Sequence, residues 1–406
     1  MNSSVFKNFI TAALCRGLLT LFVLGAAGSS ARAAFLDSFD GPIVKDPTGI
    51  KSWNFFAGDG TPTMEFTSAN GIATIHVDAT TDRRGIWWAI IKRQISSSID
   101  LAKLAAPDTE LRVEARIRSS HAPRRVNLSV NTQHTTDFHG DLMEFDLGEA
   151  HVWQTISFTT HNFDGRVGDQ LNAQLALMDW GLGKYDVDVD YFKVELVDPA
   201  TAGPDKGVPI PYRPEIASPA SFKQSIPAAA VATIDRREPD ANLADWSAIE
   251  SSGPVPIATV NGTQYVILRW DLSAFAGKKA SGSGLLELKT HSVQRAATRR
   301  KDFGMMRVVE ILGGDPQWSA RSVTYESLLQ GHAYEDVFNT QMIIDVDVTE
   351  ERNGSTLITL SRPALQRLLD QRTKGIVLIP LGSINAAFLT GSDPAQAPRL
   401  LFNVEP

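Results

Sequence analysis

The stretch Leu111-Arg-Val-Glu-Ala-Arg-Ile-Arg118 decides the fold class. Its apolar residues occupy every second position, and charged residues fill the positions between them. This period of two is typical of a β-strand that buries one face and leaves the other in water, because successive side chains of a strand point to opposite sides. The stretch therefore predicts an antiparallel strand with its apolar face in a core.

The same alternation recurs along the first half of the chain. It is seen at residues 126–131, at 171–177 and at 187–191, whereas Trp153 falls out of phase with its neighbours. No amphipathic helix pattern interrupts these segments. Many short strands separated by turn residues predict an all-β protein built from jelly-roll-like β-sandwiches.

A proline-rich segment divides the chain in two. Residues 198–230 contain seven prolines and no apolar period, which predicts a semi-rigid extended linker. The domains on either side cover residues 34–197 and 231–406. The second domain has further strand patterns and one predicted helix, Arg362 to Gln371 with Ser361 as its N-cap. Its predicted strands are Tyr265–Leu272, Leu285–His291, Met305–Leu312, Gln341–Val348 and Ile376–Leu381.

Residues 1–33 have the features of a secretory signal peptide. Lys7 and Arg16 precede the apolar run Gly17 to Gly28, and Ala31-Arg32-Ala33 is an A-x-A cleavage site. The run is shorter than the roughly 20 residues that span a bilayer. We therefore expect a secreted or periplasmic protein that is not membrane-bound after cleavage, with an uncleaved anchor as the alternative.

The charge and cysteine content of the chain restrict which partners and cofactors it can bind. The formal charge of −7 becomes −10 when the three cationic residues of the signal segment are removed, which disfavours nucleic acid as a partner. Cys15, the only cysteine, lies within that segment, so the mature chain has no disulfide and no thiolate ligand. No fingerprint for an organic cofactor is present. Local basic clusters can still bind an acidic sugar polymer.

Four elements of the second domain carry a resemblance. They are Ala232-Thr-Ile-Asp-Arg-Arg237, Val266-Ile-Leu-Arg-Trp-Asp-Leu-Ser273, Trp318 with Ser322-Val-Thr-Tyr325, and the final strands at 375–379 and 397–402. In these elements the domain resembles the DNRLRE-type, disaggregatase-related carbohydrate-binding modules. The resemblance implies a β-sandwich that binds polysaccharide, although its opening element is degenerate.

The first domain resembles the galactose-binding-like jelly rolls of carbohydrate-binding modules and some polysaccharide lyases. Its first segment, Phe35 to Gly41, and its last, Asp186 to Leu196, carry this resemblance. Acidic residues near the ends of such folds often hold a structural calcium ion through oxygen ligands. Asp40, Asp188 and Asp190 are the candidates, and a solvated acidic strand face is the alternative.

The segment Asn131-Thr-Gln-His-Thr-Thr-Asp-Phe-His139 is the densest polar stretch of the chain. Two histidines and an aspartate in one loop can set an imidazole for proton transfer. A uronate lyase needs a base, an acid for the leaving oxygen, and a group that neutralises the sugar carboxylate. We assign His134 or His139 to the base, Tyr185 to the acid, and Asn131 with Arg118 to the carboxylate.

Other polar and aromatic residues are candidates for contacts with a sugar chain. Trp87 or Trp88 can stack on a sugar ring, and core packing under a loop is the alternative for either. Structural hydrogen bonding is the alternative for the histidines, and zinc binding by His134, Asp137 and His139 is a weaker one, since no fixed ligand spacing is present. The predicted sugar-contacting residues are Trp87, Trp88, Arg93, Arg116, Asn127, Gln133, Trp180 and Lys184.

Three functions follow from these patterns. The first is a secreted protein that binds, and cleaves by β-elimination, an acidic polysaccharide with uronate units. The second is a non-catalytic protein with two carbohydrate-binding domains, and the third is a structural protein of a surface or matrix. A glycosidase would need two facing carboxylates, and nothing in the sequence brings Glu144, Asp146 and Glu149 together in that way.

Overall fold

The computed structural model describes residues 34–58, 61, 63–81, 88–177, 183–212, 214–295, 304–391 and 396–406. The predicted signal segment lies outside these residues. Within them the protein is all-β, with large antiparallel sheets and few short helices, as the alternation predicts. No helix in these ranges is long and apolar enough to cross a membrane.

The first domain consists of two six-stranded antiparallel sheets. Sheet 1 has the order β3-β4-β11-β6-β9, and β1 also pairs with β11. Sheet 2 has the order β12-β8-β7-β10-β5-β2. The strands of sheet 1 are β1 (Ala34–Asp37), β3 (Thr63–Ala69), β4 (Ile72–Asp78), β6 (Glu110–Ser119), β9 (Gln154–Thr159) and β11 (Lys184–Val197). Those of sheet 2 are β2 (Asn54–Gly58), β5 (Trp88–Gln94), β7 (Arg124–Asn131), β8 (Leu142–Leu147), β10 (Asn172–Leu177) and β12 (Pro209–Ile210).

The inward rows of the two sheets form one core. Val113 and Ile117 of β6 meet Leu128 of β7 and Leu175 of β10 in a single cluster of fully buried apolar residues. The short helix α1 (Leu101–Leu104) begins at Asp100, whose carboxylate accepts from the backbone amides of residues 102 and 103. Burying these rows is the main stabilising contribution to a sandwich without disulfides.

The second domain is built around one twelve-stranded assembly. Its long strand β18 pairs with β21 and β24 in its first half and with β23 in its second half, and the register shifts between Thr290 and Ser292. A bulge of this kind lets one strand pass from one layer to another. The strands are β13 (Gln224–Pro227), β14 (Ala230–Asp235), β15 (Ser247–Glu250), β16 (Gly253–Asn261), β17 (Gln264–Arg269), β18 (Gly284–Arg295), β19 (Gly304–Ile311), β20 (Phe338–Val346), β21 (Ser355–Leu360), β22 (Gly375–Gly382), β23 (Ile384–Leu389) and β24 (Arg399–Phe402).

The helices of this domain are short. They are α2 (Tyr325–Leu329), α3 (Tyr334–Val337) and α4 (Arg362–Leu369). The Ser361 hydroxyl accepts from the Ala364 amide, so the predicted N-cap is present. Leu365, Leu368 and Leu369 of α4 are buried in the domain core.

The proline-rich segment is partly built into both domains. Arg112 donates to the carbonyl oxygens of Ala202 and Gly203, and Pro209–Ile210 pairs with β8 at the edge of sheet 2. Farther along, Gln224–Pro227 pairs with β24 of the second domain. Proline is tolerated on an edge strand, where one missing N–H need not break a ladder. Between them, Tyr212 stacks on His139 of the first domain, and the Lys223 amide donates to Asn403 of the second, so the predicted linker has contacts with both domains. The independent folding of the two domains stays a prediction.

A buried ionic contact joins the two domains. Arg367 of α4 donates twice to Asp146 of β8, at 2.7 and 3.0 Å, and its Nε donates to Glu310 of β19 at 2.8 Å. Two carboxylates around one guanidinium raise the pKa of Arg367, so it stays charged. Beside this contact, Arg125 donates to the carbonyl oxygen of Ile343 in β20. The contact fixes how the two domains face each other.

Candidate functional site

The outward face of sheet 2 is unusual because its centre is buried although it lies outside the apolar core. All eight residues of β7 and all six of β10 are buried, on both faces of the strands. Asn127, Ser129 and Gln174 point away from the core and are only 4–8% exposed. From this low exposure we infer that the outward polar row lies at the floor of a recess.

Strand register builds this floor from four strands. Asn54 of β2 lies opposite Lys92 of β5, Lys92 lies opposite Gln174 of β10, and Gln174 lies opposite Ser129 of β7. With strands about 4.8 Å apart, this polar row spans roughly 14 Å. We call these four residues, together with Asn127, the polar row.

A second row, two residues along each strand, is mostly apolar. Phe56, Ile90 and Ala176 lie side by side, and Asn127 ends the row on β7. Beyond them Trp88 lies over Gly58, where a Cβ would come within 2.2 Å of the indole. Glycine at that position is what lets the indole lie against β2. Polar groups beside apolar and aromatic ones match a sugar ring, which has hydroxyl edges and C–H faces.

Lys92 is the one ammonium of the polar row, and burial lowers its pKa. No carboxylate or hydrogen-bond acceptor in the described part of the chain pairs with it. A half-buried cation without a counter-charge is costly, and an anionic ligand would remove that cost.

Asn127 has a buried hydrogen-bond acceptor without a partner in the described part of the chain. Its Nδ2 donates to Glu144, which Arg125 holds in a close ion pair. Its Oδ1 is buried and accepts from no donor among the described residues. The recess therefore presents an unmet donor in Lys92, and a ligand carboxylate supplies a partner for it.

The predicted lyase residues lie in three separate places: the end of β7 beside the histidine loop, the core, and the outward face of sheet 1. Asn131 ends β7 next to Asn172, beside the histidine loop. Tyr185 is buried in the core, with its ring 3.6 Å from the guanidinium of Arg124 at the other end of β7. Seven residues of strand separate Arg124 from Asn131, a distance of about 23 Å. Arg118 lies on sheet 1 and donates to Asp188 at 2.7 Å.

The histidine loop is braced by its own neighbours. Gln133 donates to Asp169 at 2.9 Å and accepts from the Gln170 amide at 2.7 Å. His134 lies 3.4 Å from the same aspartate. His139 is 3.2 Å from Asp137 and stacks on Tyr212 at 4.0 Å between ring centroids. These contacts give the two imidazoles structural partners and leave the predicted acid, Tyr185, in the core far from them.

The predicted calcium ligands are also separated. Asp188 accepts from Arg118 and from the Thr74 hydroxyl, and Asp190 accepts from Arg116 at 2.6 Å. Asp40 accepts from Ser38. Within the described ranges no group of three or more potential metal ligands comes together. Calcium binding stays a prediction, with arginine cations now seen on the two strand carboxylates.

The other predicted sugar-contacting residues divide in the same way. Trp88 and Asn127 lie on the recessed face, whereas Arg93 lies over the Phe35 ring and donates to the carbonyl oxygen of Gly49. Arg116 belongs to sheet 1, and Lys184 pairs with Asp78 at 3.3 Å. Trp87 and Trp180 lie outside the described residues.

Lys92, Gln174 and Ser129 were not among the predicted site residues. The alternation of β5 and β10 contained the signal, because Ala89 and Ile91 are inward and Lys92 must then face out. Sequence alone could not show that this face is recessed.

Comparison with known proteins gives partial likenesses. The chain matches no protein-family model and no curated protein. A solved family 4 carbohydrate-binding module is similar over 40% of this chain and 97% of its own, with 16% identity and a TM-score of 0.30. A family 11 module from Clostridium thermocellum, solved with a β-1,3-1,4-mixed-linked tetrasaccharide, covers 41% and 97% at 14% identity and a TM-score of 0.25.

A third solved structure spans both domains. The tandem of family 22 modules from Paenibacillus barcinonensis Xyn10C covers 93% of this chain and 99% of its own, at 10% identity and a TM-score of 0.28. These neighbours are carbohydrate-binding modules. The DNRLRE-type resemblance of the second domain stays a prediction.

Proposed function

We propose that the first domain binds an acidic, uronate-containing polysaccharide along the recessed face of sheet 2. The observation that carries the proposal is Lys92, a half-buried ammonium without a counter-ion in the described part of the chain. Gln174, Ser129 and Asn127 surround it with amide and hydroxyl groups for sugar hydroxyls. The second row and Trp88 supply an apolar surface for the ring faces.

Binding is the activity that this geometry supports best. Elimination needs an acid, a base and a carboxylate-neutralising group around one sugar unit. The residues that we assigned to these roles lie in three separate places, and Tyr185 is in the core. In this proposal the polymer is held on the recess and leaves unchanged.

Isothermal titration calorimetry with oligoglucuronate, oligoalginate and their carboxyl-reduced counterparts tests the proposal. We expect the acidic oligomers to bind more tightly than the reduced ones. Lys92→Gln should weaken acidic binding about 30-fold, the scale of a hydrogen bond to a charged group, and should erase the preference.

Lys184→Gln is the matched control, because it removes the same charge from an exposed lysine of the same domain that already pairs with Asp78. Equal losses of affinity for the acidic oligomers in the two variants would show that the effect comes from net charge alone, and would contradict the proposal. A rise in ultraviolet absorbance on incubation with polymer would show elimination instead.

A further inference from the structure

The outward face of sheet 2 continues from the recess to the contact between the two domains. On β7, Arg125 and Asn127 are two residues apart and lie on the same face, and their partners on β8 are Asp146 and Glu144. Asn127 belongs to the polar row, whereas Arg125 and Asp146 accept or donate hydrogen bonds across the domain contact. The second domain therefore borders the recess at the neighbouring residue pair of these strands.

A bulge in β20 provides the second-domain side of this border. Consecutive residues of β19 lie opposite Ile344 and Met342, so Ile343 between them has no partner residue in β19. A bulge leaves its extra residue outside the ladder and can re-aim its groups. The carbonyl oxygen of Ile343 accepts from the guanidinium of Arg125 at 2.9 Å, so this main-chain oxygen of the second domain binds the first domain.

Arg125 also binds on the recess side. Its guanidinium forms a close ion pair with Glu144, and the same carboxylate accepts a hydrogen bond from Asn127. Arg125 and Glu144 are only 7% and 3% exposed, so little water competes with these contacts. A continuous series of polar contacts thus runs from Ile343 through Arg125 and Glu144 to Asn127, and we call this series the relay.

Arg367 holds the two domains together beside the relay. Its two bonds to Asp146 cross from the second domain to the first. A void of only about 10 Å³ is lined by both Arg367 and Arg125, and it has room for about one water. Closely packed groups pass a displacement on to their neighbours because they have little space in which to absorb it.

We propose that Arg125 is a positioning residue that makes polysaccharide binding in the recess depend on how the second domain is seated. With the second domain in place, the Ile343 carbonyl oxygen fixes the guanidinium, which fixes Glu144 and, through it, the amide of Asn127. Loosening the domain contact frees Asn127 from the arrangement that the ligand needs. The inference rests on the proposed function for its ligand, but the relay can be measured without one.

The side-chain amide signals of Asn127 in the full mature chain test the relay by nuclear magnetic resonance without a ligand. Arg367→Lys keeps the charge but cannot reproduce a two-pronged arginine contact, so it should loosen the domain contact. The Asn127 signals, assigned by their loss in Asn127→Ala, should then shift. Arg399→Lys is the matched control and should leave them unchanged, because Arg399 is held by Glu287 within the second domain.

Two further variants locate the path. In Arg125→Lys, which lacks the planar fork between Ile343 and Glu144, adding Arg367→Lys should cause no further shift of the Asn127 signals. Asp146→Asn loosens the same domain contact and leaves the Arg367–Glu310 pair in place. It should give the same shift as Arg367→Lys, and it replaces that variant if the Arg367→Lys chain does not fold.

Isothermal titration calorimetry with oligoglucuronate measures the consequence for binding. Arg367→Lys should weaken the affinity about fivefold, an ordinary size of coupling between two sites, whereas Arg399→Lys should stay within about 1.5-fold of the natural chain. In the Arg125→Lys background, the further loss caused by Arg367→Lys should be less than about twofold, since the two changes act through one path.

Unmoved Asn127 signals in Arg367→Lys, or equal losses of affinity in Arg367→Lys and Arg399→Lys, would overturn the proposal. A natural chain that does not bind the oligomer would contradict the proposed function instead, and the Asn127 signals would still decide whether the relay exists.

Discussion

The strands of both outward faces of the first sandwich show the same alternation in sequence. Asp188 and Arg118 on sheet 1 are paired with each other, whereas Lys92 on sheet 2 has no charged partner across the strands. On sheet 1, Asp188 lies opposite Arg118 across the β11–β6 pair, and the two side chains form an ion pair. Arg118 also lies 4.6 Å from the ring of Trp153, which comes just before β9 and so is not bound to that strand's alternation. On sheet 2, Lys92 has Asn54 and Gln174 as cross-strand neighbours, and neither carries a charge.

This difference shows what separates a solvated face from a binding face. Charges that meet opposite charges in register are satisfied before any ligand arrives, and at an exposed surface such pairs contribute little to stability. Polar groups that are buried and unmatched cost stability until a ligand matches them. If the sheet 2 recess binds as proposed, it gives up fold stability for affinity, whereas the paired charges of the sheet 1 face do not.

The largest expected effect is on binding. Removing two members of the polar row in Lys92→Gln/Gln174→Ala should weaken oligouronate binding by about 100-fold or more, since a charged and a neutral hydrogen bond are lost together. The paired variant on sheet 1, Arg118→Gln/Asp188→Asn, should stay within about twofold of the natural chain. Isothermal titration calorimetry of both variants measures the two affinities. A larger loss of affinity in the sheet 1 variant would show that sheet 1, and not sheet 2, is the binding face.

A smaller effect concerns Asp141, just before β8. Burial and the nearby Glu110 charge raise its pKa to about 6, so between its ordinary value of 3.8 and about 6 the native state holds a proton that the unfolded state has lost. Its contribution to stability is present at low pH and is lost as pH rises through about 6. Asp141→Asn should thus raise the Tm by about 2–4 °C at pH 7 and by much less at pH 4.

Thermal scans at the two pH values measure this difference. Asp188→Asn is the control, since its carboxylate already has an arginine partner. An equal Tm change at both pH values would show that Asp141 is not protonated by burial.

The smallest expected effect is that of chelation. Arg118 and Arg116 already hold Asp188 and Asp190, so a calcium ion there would compete with two guanidinium groups, and its removal by excess EDTA should lower the Tm by less than about 1 °C. A larger fall, together with calcium found by elemental analysis, would support the predicted calcium site and make the sheet 1 face a ligand-binding surface as well.

The sequence predicted the strands better than it predicted their partners. Alternation within one strand is a local property, so the strand at Leu111–Arg118 and its buried face were both correct. Tyr185 was assigned to a glycine-rich turn, yet the period that places Val187 and Val189 inward extends back to it and buries it. That signal was available in the sequence.

Partners across strands could not be predicted in the same way. The pairing of Asp188 with Arg118 joins residues 70 positions apart, and it depends on a register that no local pattern specifies. Lys92 and Gln174 meet for the same reason, so the arginine partner of Asp188 and the place of Lys92 in the recess could not be predicted. Lys92 and Gln174 lie side by side in the recess only because of the register between β5 and β10, which a local sequence pattern does not specify.

The guanidinium of Arg367, held between Asp146 and Glu310, has a consequence for long polymers. That buried contact resists reorientation of the domains. If the second domain also binds polymer, as its resemblance implies, the effective concentration of its site for a chain bound in the recess would be set by a fixed span and not by linker length. Oligosaccharides shorter than that span would engage one site at a time. We expect affinity to rise abruptly at the first chain length that reaches both sites, and to show little avidity below it.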